Sequence, residues 1–102
     1  MTEGFRDFTA ESRRVFILRL LVEDGGSLNE SVIFRGSEHG FSKRTTRDEI
    51  RADLDLLRER GCVTEEWFKG KLRVVSITDR GTDAAQGKIF VAGVEQSRWE
   101  DR

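Results

Sequence analysis

The chain has 102 residues and a mass of 11.7 kDa, which leaves room for one domain and a short tail. Hydrophobic and charged residues each make up 36%, and 18 Lys+Arg against 19 Asp+Glu give a net charge of −1, so any nucleic-acid contact must come from local clustering rather than overall basicity. No apolar run approaches the ~20 residues of a membrane span, residues 1–7 lack the pattern of a secretion signal, and the single cysteine, Cys62, cannot form an internal disulfide, so a cytoplasmic protein is expected.

The first predicted helix starts at Thr9 as N-cap, with Glu11 in its first turn where a negative charge suits the helix dipole. Val15, Leu18, Leu21 and Val22 share one face, widened by Phe16, Ile17 and Leu20, and Gly25-Gly26 ends the element. Ser27-Leu28-Asn29-Glu30 has the spacing of a capping box and predicts a second helix to about His39, with Leu28, Val32 and Ile33 inward. Gly36 weakens that helix, Gly40 stops it, and Phe41 is expected to plug the core in the following turn.

Thr46-Arg47-Asp48-Glu49 is another capping box and opens a third helix. Ile50, Leu54 and Leu57 form its apolar stripe, with Asp53 on one flank and Arg47, Arg51 and Arg58 on the other. Two helices joined by a turn, the second strongly amphipathic, give a helix-turn-helix pattern. After Gly61, residues 63–68 and 72–77 read as strands around a Lys69-Gly70-Lys71 turn, the glycine serving its left-handed position. Thr78 caps a last helical turn through Ala84-Ala85. The apolar Ile89-Phe90-Val91 is either one more strand or a contact segment.

Helix, glycine, strand, basic turn, strand is the order of the second half of a winged-helix domain. The expected fold class is therefore α+β: a winged helix-turn-helix of three helices, a two-stranded wing, a short C-terminal helical turn and an apolar tail. The domain is assigned to residues 1–88 and the tail to residues 89–102, as an extra strand or a dimer contact.

With these elements placed, the chain resembles the ArsR-like winged-helix family, in particular the small ArsR-type regulator-like proteins of Mu-like prophages. The matching residues are R-R-V-F-I-L-R-L-L (13–21), L-N-E-S-V (28–32), T-R-D-E-I-R-A-D-L (46–54), R-G-C-V-T (60–64) and I-T-D-R-G-x-D-A-A-x-G (77–87). The resemblance spans about residues 5–94 and implies a winged-helix fold with a role in phage or prophage transcription. Metal-sensing members carry paired thiolates or carboxylate/His pairs. Here Cys62 and His39 stand alone, so no metal site and no cofactor are expected.

Arg44, Thr45, Arg47 and Arg51, at the start and along one edge of the third helix, are the candidate readers of duplex DNA. A solvated helix face, with Arg51 paired to Asp48 or Asp55, is the competing reading. Lys69, Lys71 and Arg73 form a basic wing that suits phosphates, although hairpin tips also carry lysines for solubility. Arg13, Arg14 and Lys43 would extend the patch. Asp48, Asp55 and Glu59 oppose it as an acidic stripe. Asp48, Asp53 and Asp55 read as surface ion-pair partners, and Cys62 as a small buried apolar residue. Trp67 and Phe68, adjacent on one strand, face opposite sides, one toward the core. Phe5, Phe8, Phe90 and Trp99 are candidate dimer contacts.

No Ser/His/Asp set, phosphate-cradling glycine loop or zinc spacing is present, so an enzyme is not expected. The sequence reading is a cytoplasmic, homodimeric winged-helix protein that binds double-stranded DNA as a prophage-type transcriptional regulator. Its alternative is a winged-helix module that binds a protein partner in phage assembly or packaging.

Overall fold

Helix α1 (Phe8–Glu23) begins directly after Asp7, whose carboxylate accepts the Ala10 amide at 3.0 Å in the computed structural model, which describes residues 6–97. The cap is therefore Asp7 and not Thr9; an anionic acceptor at the positive end of the helix dipole satisfies the free donor better than a hydroxyl two residues later. Ala10, Val15, Ile17, Leu18 and Leu21 are buried, so the wide apolar face is covered on more than one side. Gly25 and Gly26, both at positive φ, end the element, and the Gly26 amide returns to the Leu21 carbonyl at 2.7 Å.

Ser27 does not cap the next helix. Residues Ser27–Asn29 form a short strand, β1, and α2 (Glu30–Gly40) is capped by Asn29, whose side chain accepts the Val32 amide at 2.9 Å. The reason is tertiary: β1 pairs antiparallel with β3 (Leu72–Ile77), placing Leu28 opposite Val75. That satisfies backbone groups along an edge of β3 which local capping rules cannot see. Gly36 is not a weak point either. A Cβ there would lie 2.9 Å from Leu20 Cδ2, and one at Gly40 would lie 2.8 Å from Phe16 Cζ, so both glycines let α1 and α2 approach closely. Phe41 packs on Phe16 with ring centroids 5.8 Å apart.

Helix α3 (Arg47–Glu59) carries the expected capping box, with Thr46 and Glu49 satisfying each other's backbone amides. It buries Ile50, Leu54 and Leu57, and with them Asp53. Strand β2 (Val63–Phe68) pairs with β3 through a turn in which Lys69 and Gly70 both have positive φ, and the sheet order is β1-β3-β2. Thr78 caps α4 (Asp79–Ala85), accepting the Gly81 amide at 3.0 Å. Gly81 is required by contact: a Cβ would meet the Cys62 carbonyl oxygen at 2.2 Å.

Among the described residues the count is thus four helices and a three-stranded antiparallel sheet, where the sequence reads three helices, a two-stranded wing and a short C-terminal helical turn; that turn is α4, and β1 is the strand the reading lacks. Residues 89–97 take no strand conformation. Val91 and Val94 join the core, and the Glu95 amide donates to the Glu11 carbonyl at 3.2 Å. The structure therefore packs this segment onto the domain that the sequence closes at residue 88. No described helix is long and apolar enough to cross a membrane.

Candidate nucleic-acid interface

Arg47 and Arg51 stand one helical turn apart on α3, so their side chains share an edge. That edge faces the start of α2, where Glu30 is almost completely buried. Arg51 Nε donates to Glu30 Oε2 at 3.0 Å, and Arg47 Nη1 lies 3.6 Å from the same oxygen. Arg47 also donates to Ser31 Oγ at 3.2 Å and lays its guanidinium over the Phe34 ring. Arg51 approaches Asp48 at 3.9 Å, the helical pair expected of it, while Asp55 is turned toward other partners. Both arginines keep substantial exposure despite these contacts, at 39% and 56% of their side-chain surface.

The wing does not present Arg73. Its side chain is 5% exposed and sits among three carboxylates: Asp55 at 2.7 Å, Glu65 at 2.7 Å and Glu30 at 3.7 Å. Inward faces alternate along a strand, and Arg73 shares its face with Val75 and Ile77. Burial opposes the charge, but the bonds to Asp55 and Glu65 outweigh it and raise the Arg73 pKa. Glu65 shows the converse: burial pushes it up, yet the Trp67 indole N–H and the Arg73 guanidinium hold it below the usual carboxylate range. Arg73 is thus the tie between the wing, α3 and α2, and unavailable to a phosphate.

Lys69 and Lys71 are exposed, as expected of a basic tip. Arg44 is exposed in the turn before α3, whereas Thr45 beside it is 6% exposed and cannot be a surface contact in this conformation. Neither Trp67 nor Phe68 enters the core. They are 51% and 50% exposed, on opposite faces of the hairpin, and Leu72 opposite Phe68 is 44% exposed.

Arg13 and Arg14 do not extend the basic patch. Asp53, the acid inside the buried stripe of α3, is fully enclosed and bonded to both: to Arg13 Nε through Oδ2, and to Arg14 Nε at 2.9 Å. Arg14 also donates to the Gly93 carbonyl at 2.9 Å, which fastens the 89–97 segment. Asp53 therefore leaves the group of surface acids in which the sequence placed it. Among the described residues, no group of three His, Cys, Asp or Glu is placed to hold a metal ion. Cys62 is fully buried, and burial pushes its thiol pKa up. Phe8 and Phe90 are 63% and 66% exposed; Phe5 and Trp99 lie outside the described residues.

What these elements leave open is a cleft of about 180 Å³ between α3 and the wing. Its walls include Arg47, Arg51, Trp67, Lys71 and Leu72, with Glu30 and Arg73 among the residues lining it.

A helix-turn-helix whose second helix stands beside a β-hairpin, the sheet completed by a strand from between the first two helices, defines a winged-helix-like domain. A solved complex structure of hsRosR-S1 shares the fold, with a TM-score of 0.63 over 82% of this chain and 69% of that one at 20% identity. The chain is 37% identical over 92 residues to the uncharacterized protein gp26 of Escherichia phage Mu, covering 90% of this chain and 94% of gp26. It is 36% identical over 77 residues to an uncharacterized protein of Haemophilus influenzae, covering 76% and 74%. The protein belongs to the family of phage Mu gp26. No family model matches the chain.

Proposed function

We propose that this protein binds duplex DNA as a prophage-type transcriptional regulator of the ArsR-like kind, without a metal-sensing site. It works in the cytoplasm as a homodimer with Phe8 and Phe90 among its contacts, and as a binding protein rather than an enzyme. The observation that carries the reading is the cleft between α3 and the wing. Arg47 and Arg51 from the helix and Lys71 from the hairpin line one wall system, so two separate elements offer cations to one ligand. The phage relative and the winged-helix-like fold support the same reading.

The test is duplex affinity at two salt concentrations. Several phosphate contacts require a loss of roughly 10³-fold between 50 and 200 mM salt. Lys69→Ala with Lys71→Ala should weaken binding to every duplex and lower the salt slope by about one unit per contact, while Arg47→Ala should relax preference between sequences. Salt-insensitive, feeble binding by the parent would end the DNA reading.

One observation favours a second reading, a protein-interaction module in phage assembly or packaging. Glu30, Asp55 and Glu65 together offset much of the positive charge of Arg51 and Arg73, and Asp48 stands exposed beside Arg51. In that case the duplex titration stays flat.

A further inference from the structure

Three of the six exposed large hydrophobic residues among those described, Trp67, Phe68 and Leu72, stand together at the end of the hairpin, and a purely electrostatic wing gives no reason for it. Phe68 and Leu72 are directly paired across the two strands, half exposed on one face. Trp67 is half exposed on the other, its indole N–H bonded to Glu65 at 3.2 Å and its ring 5.6 Å from the Arg73 guanidinium. The turn joining them is tight, with Lys69 at φ 55 and Gly70 at φ 68. Three large apolar side chains are therefore held on a short, fixed projection, with Lys69 and Lys71 at its apex.

We infer that this tip is an apolar wedge which unstacks a base step in the minor groove of duplex DNA, with Phe68 and Leu72 as the inserting pair. The inference rests on the DNA-binding reading and adds deformation of the duplex to it. Charge chooses the occupant: an apolar pair flanked by two lysines matches a groove walled by phosphates, with the exposed Glu66 set two residues back from Phe68 along β2. Position agrees, because Trp67, Lys71 and Leu72 line the same cleft as Arg47 and Arg51, so a duplex holding α3 in its major groove brings the adjacent minor groove to the wing. Size requires the deformation. Two strands are about 4.8 Å apart before side chains are added, whereas the minor groove is only ~6 Å wide. The tip fits where the groove opens, and a kink toward the major groove opens it. Flexible pyrimidine–purine steps cost least to unstack, so duplexes with a central TA or CA step should be preferred.

The experiment uses the full chain and a duplex carrying a dye at each end and 2-aminopurine at a central TA step. The parent at saturation should shorten the end-to-end distance and raise the 2-aminopurine signal. Phe68→Ser with Leu72→Ser, both at exposed positions, should bind roughly tenfold more weakly and leave the saturated duplex straight. Lys69→Ala with Lys71→Ala should lower the salt slope yet still bend the duplex at saturation. Parent protein that binds but leaves the duplex straight overturns the wedge and spares the DNA reading. So does a Phe68→Ser/Leu72→Ser variant that bends like the parent, or one that sediments as a monomer where the parent is a dimer. A parent that binds no duplex overturns both.

Discussion

Arg73 Nη2 donates to Asp55 Oδ1 at 2.7 Å, and this bond joins the wing to the exposed face of the third helix. It reverses the roles both residues have in the linear sequence. Arg73 there belongs to a basic wing and Asp55 to an acidic stripe that would repel phosphate. Folded, each offsets the charge of the other, with Glu65 sharing the same guanidinium and Asp55 still half exposed. The two elements that flank the cleft are thereby held at a fixed spacing.

Replacing Arg73 with alanine should consequently act through stability rather than through lost phosphate contact. Glu30, Asp55 and Glu65 would be left facing one another, at a cost of about 3 kcal/mol, near the low end for a broken buried pair because Asp55 is half in water. Lys69→Ala and Lys71→Ala, at exposed positions, should change stability by less than about 0.5 kcal/mol. Urea denaturation of the three variants separates the two behaviours.

Asp53→Asn keeps the volume of the buried side chain but removes the charge that balances Arg13 and Arg14. The expected loss is about 3 kcal/mol or more. In a double-mutant cycle, Arg13→Met with Asp53→Leu should cost clearly less than the sum of the single changes, since no unpaired charge remains between those two positions. Additive losses would mean that Arg13 and Asp53 are not coupled in solution.

Glu30→Gln should strengthen duplex binding. Glu30 neutralises Arg51 and approaches Arg47, so its neutral counterpart frees both toward phosphate, while Arg73 keeps Asp55 and Glu65. The salt slope should steepen by about one unit. An unchanged slope would show that these arginines do not meet DNA.

Glu65 gives the fold a pH dependence of known sign. Its folded pKa is depressed, burial opposing but the Trp67 and Arg73 bonds prevailing, so its stabilisation is present above the ordinary carboxylate pKa of about 4.3. The stabilisation is lost as pH falls through the depressed folded value, because the unfolded chain takes up the proton first. The difference in thermal midpoint between parent and Glu65→Gln should therefore be largest near neutrality and shrink below about pH 4.

The local signals that succeeded are those whose partners lie within a few residues. The Thr46–Glu49 box, the glycine stop at Gly61 and the lysine-glycine hairpin are each settled by neighbouring backbone groups, and each stands where the sequence puts it. Two site residues were legible but misread. Asp53 lies three residues after Ile50 and four before Leu57, inside the buried stripe, and Arg73 alternates with Val75 and Ile77 on an inward strand face. Period alone marks both positions as interior, and their charge argues the opposite until partners are known.

Except for Glu65, across the hairpin from Arg73, those partners come from distant segments. Asp53 is compensated by Arg13 and Arg14 about 40 residues earlier in the chain, and Arg73 by Glu30, Asp55 and Glu65 on three different elements. The same holds for β1, which is a strand only because β3 offers it an edge, and for Gly36, whose missing side chain is explained by Leu20 on another helix. By itself the sequence determined the order of the main helices and the hairpin, since periodicity, caps and turns act over one or two turns of chain. The tertiary structure alone decided which charges face water, because a buried charge is tolerable only where the fold delivers its opposite.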